Sequence, residues 1–201
     1  MRLNPSRRRA VGQGLTAGLA LWWAMGIGPV RAQNASVSAA SAPRELQSLW
    51  AGGATARLMG KARLRFMGFT VYDIRLWTPA SQMSAQSWPQ QPFALELEYA
   101  LSLSGRAIAE RSLKEMERAG PLPKEVADKW QALLEAWIPD VTPGDRLTGV
   151  HGGDGSLRLF HNGSERAQAR DPELARRFFG IWLGPWTSEP RLRDSLLAGG
   201  L

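Results

Sequence analysis

The chain has 201 residues, with 25 Lys and Arg against 18 Asp and Glu, 44% hydrophobic residues, nine Trp and no Cys. This content excludes a disordered, collagen-like or disulfide-stapled protein and allows one domain or at most two. Arg2, Arg7, Arg8, Arg9 and Arg31 all fall in the first 32 positions, where there is no acid; the rest of the chain carries 20 basic and 18 acidic side chains, so the basicity is local and nucleic acid is not an expected partner.

Arg7-Arg8-Arg9 precede a charge-free stretch from Ala10 to Val30, and Val30-Arg31-Ala32 ends in a small residue. This is the pattern of a secretory signal peptide over residues 1–32. Ser6-Arg7-Arg8 also resembles a twin-arginine signal. A retained anchor is the alternative, since about 20 apolar residues can span a bilayer. Gly12, Gly14, Gly18, Gly26, Gly28 and Pro29 dilute this stretch, which favours removal. The expected product has no membrane span, no thiol for lipidation and, in a double-membraned bacterium, a periplasmic location. Residues 33–43 are Ala, Ser, Asn, Gln, Val and Pro only and read as a flexible tether, leaving one domain over 44–201.

Within 57–78, Ala62, Leu64 and Phe66 share one face of an extended run, Gly68 interrupts, and Tyr72, Ile74 and Leu76 share one face of the next. From Phe93 to Leu103, apolar residues alternate with Glu96 and Glu98, which predicts a strand with one solvated face. The period then changes. Ser104 caps a predicted helix to about Ala119 with Ala109, Leu113 and Met116 on its apolar stripe, and Pro123 opens a second carrying Val126, Trp130, Leu133 and Trp137. Strands are predicted at Leu147–Val150, Leu157–His161 and Glu165–Ala169, the last two joined by an Asn162-Gly163 turn. Asp171-Pro172-Glu173 opens a helix with Leu174, Phe178 and Ile181, and a short helix carries Leu192 and Leu196. Strands and helices in blocks predict an α+β fold: an open-faced antiparallel sheet with helices packed on one face. Such a fold leaves room for an apolar cleft between its layers.

Chemistry-bearing patterns are few. His151 and His161 without Cys do not supply a zinc ligand set, and the 151–156 loop lacks the lysine of a phosphate loop and the alternating acids of a calcium loop, so neither metal nor cofactor is expected. No G-x-S-x-G is present. Glu110, Arg111, Lys114, Glu115, Glu117 and Arg118 read as a mixed helix surface. Most Trp fit core positions, while Trp50, Trp77, Trp88 and Trp186 depart from helical spacing and are candidates for a cleft wall.

Several segments in order carry a family likeness: Gly60 to Phe66 with Val71 to Trp77, Leu95 to Tyr99, Lys114-Glu115-Met116, Ile138-Pro139-Asp140, Gly144 to Leu147, Phe160 to Gly163, and Phe178 to Gly184. Over residues 46–197 the chain resembles the chalcone isomerase-like family, in particular its exported bacterial branch. The resemblance implies the same open-faced fold. It divides on function: plant members close a chalcone to a flavanone, while plastid relatives bind fatty acids and hold the carboxylate with an arginine and a tyrosine. Matching the Gly that opens the enzymes' first helix to Gly105 puts Ile108 and Glu115 where they carry a tyrosine and an asparagine. An aliphatic group there cannot hold an ordered water or polarise a ketone.

The same resemblance makes Arg63 the nearest match to the carboxylate-binding arginine, with Arg65 and Arg57 as competitors. A match one residue later lands on Leu64. Strand parity turns Arg63 and Arg65 away from the Ala62-Leu64-Phe66 face, so a carboxylate clamp at Arg63 needs a bulge or a cleft on the other side. Arginine is the right chemical type for two-point carboxylate binding, and Tyr72 is the expected hydroxyl. The leading expectation is a non-catalytic exported protein holding a hydrophobic small molecule such as a fatty acid, with Arg63 and Tyr72 at its polar end. Two readings stand beside it: an isomerase or lyase of an unknown substrate in the same cleft, and an envelope accessory protein that binds a protein partner through exposed Trp.

Overall fold

The computed structural model describes residues 42–50, 55–80 and 83–198; the expected leader and positions 33–41 lie outside the described residues. Six strands, β1 (Arg57–Phe66), β2 (Phe69–Thr78), β3 (Pro92–Tyr99), β4 (Arg146–Gly152), β5 (Ser156–His161) and β6 (Ser164–Arg170), pair antiparallel in chain order. Helices α1 (Gly105–Met116), α2 (Lys124–Trp137), α3 (Pro172–Leu183) and α4 (Pro190–Leu197) supply the apolar stripes that cover one face. The expected α+β architecture is the observed one.

Local chemistry sets the element ends. Ser104 and Asp171 cap α1 and α3, their side-chain oxygens accepting from the N–H of Ala107 at 3.2 Å and of Leu174 at 3.0 Å. Asn162 and Gly163 turn between β5 and β6 with φ of 50° and 84°, the left-handed pair that a tight hairpin requires. Gly105 is needed for close approach, because a Cβ there would overlap the Ile138 carbonyl, and its N–H donates to Asp140 Oδ1 at 2.8 Å. Asp145 Oδ1 accepts from Asn162 Nδ2, and Asn162 Oδ1 accepts from the Arg146 N–H, both at 2.8 Å. Much of the shared motif pattern therefore locks turns together. The third run ends earlier than expected: β3 stops at Tyr99, and Leu103 pairs instead with Val141.

Two apolar layers result. The inner one joins Ile74, Leu76, Phe93 and Leu95 to Trp130, Leu134, Phe179 and Leu196 from the helices. His151 belongs to it, stacked on Phe93 with centroids 5.0 Å apart and 2% exposed. Burial pushes its imidazole pKa down. Above a pH of about 6.5 this group is neutral folded and unfolded; as pH falls through that value the unfolded chain takes a proton that the folded core resists, so stability drops. The urea midpoint of the native sequence is expected to fall more steeply between about pH 7 and pH 5 than that of His151→Gln, and equal slopes would contradict this.

The second layer corrects the expectation of a solvated face at Glu96. A 3-10 turn at Arg44–Ser48 lays Leu46 and Trp50 over Trp77, Ala94, Val150 and Phe160 on the sheet's other side. Ala42, at the end of the expected tether, packs there too. Glu96 is only 4% exposed, its carboxylate accepting from Trp77 Nε1 at 2.9 Å and Arg146 Nη1 at 3.1 Å, with Arg75 Nη1 at 3.7 Å. A buried carboxylate persists only with such partners. Glu98 stays at the surface and pairs with Arg75 at 3.0 Å.

Candidate ligand-binding cavity

Alternation along the strands sends Leu64, Tyr72, Leu97, Tyr99 and Leu147 to the inner face, where Leu64 lies opposite Tyr72, Tyr72 opposite Tyr99, and Leu97 opposite Leu147. Between these side chains and those of α1 and α3, including Ile108, Phe178 and Trp182, lies a cavity of about 200 Å³. Gly149 helps to keep it open: β4 carries no side chain there, and a Cβ would stand 3.1 Å from Phe179. The walls are overwhelmingly aliphatic and aromatic.

The polar lining comes mainly from β2, α1 and the segment before α4. Tyr72 Oη accepts from Trp182 Nε1 at 3.0 Å, and burial raises the phenol's pKa well above its ordinary value. Arg111 reaches along α1 to Glu115 Oε1, an ion pair inside the cavity wall. Glu115 is 6% exposed; its Oε2 makes no hydrogen bond and has Arg118 Nε at 3.6 Å. Ser112 donates to the Ile108 carbonyl at 2.8 Å, so its hydroxyl proton is engaged within the helix. Glu189 is partly buried on the same wall, and burial followed by the neighbouring Glu115 raises its carboxyl pKa.

Of the two residues singled out from sequence, Tyr72 lines the cavity. Arg63 does not. It points from the opposite face and forms a two-point pair with Asp73, Nε to Oδ1 at 2.6 Å and Nη2 to Oδ2 at 2.8 Å. The register shifts of β1 fall at Leu58/Gly60 and Leu64/Arg65, on either side of Arg63, and leave its parity outward. Arg65 is also exposed, and Arg57 donates to the Ala80 carbonyl. The position one residue on from Arg63 is the inward one, and it holds Leu64.

Sequence reasoning missed Arg111 and Glu189, and it read Glu115 as helix surface by pattern although the resemblance set it at the isomerases' asparagine position. Ile108, Ser112 and Glu115 follow i, i+4, i+7, a stripe that lies beside the apolar one and faces the sheet. None of Trp50, Trp77, Trp88 or Trp186 lines the cavity; Trp182 does. Among the described residues Trp137 and Trp186 are half-buried and the other Trp are buried.

The chain therefore forms an open antiparallel sheet roofed by helices over an apolar cavity. A sequence model of the chalcone isomerase-like family matches residues 36–198, and the chain belongs to that family. No curated protein matches it. Among solved structures, the fatty-acid binding protein of Arabidopsis thaliana is similar in fold, with a TM-score of 0.55 at 12% identity, covering 76% of this chain and 91% of that one. Among the described residues no helix is long and apolar enough to cross a membrane.

Proposed function

We propose that this protein is exported and, without catalysing a reaction, holds a hydrophobic small molecule with an alkyl or acyl chain, the class to which fatty acids belong, between its sheet and helices. The observation that carries the reading is the open apolar cavity of about 200 Å³ at the layer interface. The fatty-acid binding neighbour in Arabidopsis supports it at the level of fold. Ile108, on the wall where the resemblance puts an isomerase's tyrosine, supports the absence of chalcone chemistry. Export rests on the pattern of residues 1–32, and the periplasm is the compartment that pattern favours.

Native mass spectrometry of protein purified from its host compartment is expected to show a co-purified lipid. Added alkyl compounds should raise Tm, as anything that binds only the folded state must. Each methylene entering the cavity contributes about 0.8 kcal/mol, so affinity should rise about fourfold per carbon until the space is full. No bound lipid and no shift in Tm with any chain length would refute the reading.

A further inference from the structure

The charged groups on the cavity wall fix what the ligand's polar end can be, given the reading of the cavity as an apolar ligand site. Three side chains with formal charge line it: Arg111, Glu115 and Glu189. Arg111 already faces Glu115 across one helical turn. Glu115 has a second cation near it, Arg118, but that side chain is half-exposed and does not line the cavity. The inward position next to Arg63 on β1 is Leu64, while Arg63 is held outside by Asp73. Glu189 is left as an acid on the wall with no cation within salt-bridge distance among the described residues.

We propose that this cavity takes ligands whose polar end donates a hydrogen bond, a hydroxyl or an ammonium group, and discriminates against carboxylates, with Glu189 as the specificity-determining residue. A ligand carboxylate brought to this wall meets like charge in a partly desolvated place, where two carboxylates cannot both ionise without cost. A hydroxyl or ammonium there finds in Glu189 an acceptor that hydrogen-bonds more strongly than a neutral oxygen. Burial and then the nearby Glu115 charge raise the Glu189 carboxyl pKa, and Arg111 offsets only part of the rise.

The test is displacement of a fluorescent apolar probe, phenylnaphthylamine, from the whole protein by dodecanol, dodecylamine, methyl dodecanoate and dodecanoate at about pH 8, where the free acid is ionised. The four share a chain, and the ester reports apolar burial with neither charge nor a donor. Dodecanol and dodecylamine are expected to bind at least about tenfold tighter than dodecanoate and measurably tighter than the ester. Glu189→Gln should tighten dodecanoate about tenfold and leave the ester within about twofold. Dodecanoate binding as tightly as dodecanol, or unmoved by Glu189→Gln in a variant of unchanged Tm, overturns the head-group assignment while the cavity reading stands. Failure of all four compounds to displace a bound probe, or of the probe to bind, overturns both.

Discussion

Phe179→Ala is expected to lower the free energy of unfolding by about 3–5 kcal/mol, the range for truncating a fully buried aromatic. Phe179 is 0% exposed and stands where α3 meets the sheet, edge-on to Phe93 at 4.8 Å, His151 at 5.4 Å and Phe178 at 5.4 Å. Its ring also bounds the cavity, and Gly149 opposite it has no side chain to move into the vacated space. Truncation would enlarge an existing void, and the cost of such mutants grows with the volume left empty. Most small domains have only about 5–15 kcal/mol in total, so the loss should be plain as a reduced urea midpoint at constant slope. A decrease below about 1 kcal/mol would mean that the layers are not held together at this contact.

Ile108→Trp should have the opposite profile, with ligand affinity reduced at least tenfold and Tm unchanged or raised. Ile108 is half-buried on α1 and lines the open space, so an indole can extend into volume that no protein atom occupies. Overpacking a filled core costs about 1–3 kcal/mol, but filling a void adds contacts without that strain. The separation of the two readouts is the point: binding falls because the space is taken, and the fold does not weaken. Unaltered affinity in a folded Ile108→Trp variant would place the ligand elsewhere.

The fold was largely legible because its signals are local. Alternation at Ala62-Leu64-Phe66, the cap-and-proline opening at Asp171-Pro172 and the Asn162-Gly163 turn each act within a few residues, and the structure puts elements where they predict. The burial of Glu96 was not legible. It depends on Leu46 and Trp50 folding back over a face whose own pattern reads as wet, a contact between residues about 50 apart that no period records. The same holds for the site. Tyr72 could be found because an inward tyrosine on a strand announces itself, and strand parity already set Arg63 against the cleft. Arg111 and Glu115 were hidden among the charged residues of one helix, and only docking against the sheet decides which of them turn inward. Glu189 sits between helices in a segment with no periodicity to read.

The most direct test of the cavity as the binding site is the set of intermolecular nuclear Overhauser effects between a bound alkyl compound and the methyl groups of the protein. The ligand's chain should show them to Ile108, Ile138 and Leu147, which line the space, and not to Leu46 or Leu58, which pack on the other face of the sheet. Contacts to Leu46 and Leu58 with none to Ile108, Ile138 and Leu147 would contradict it.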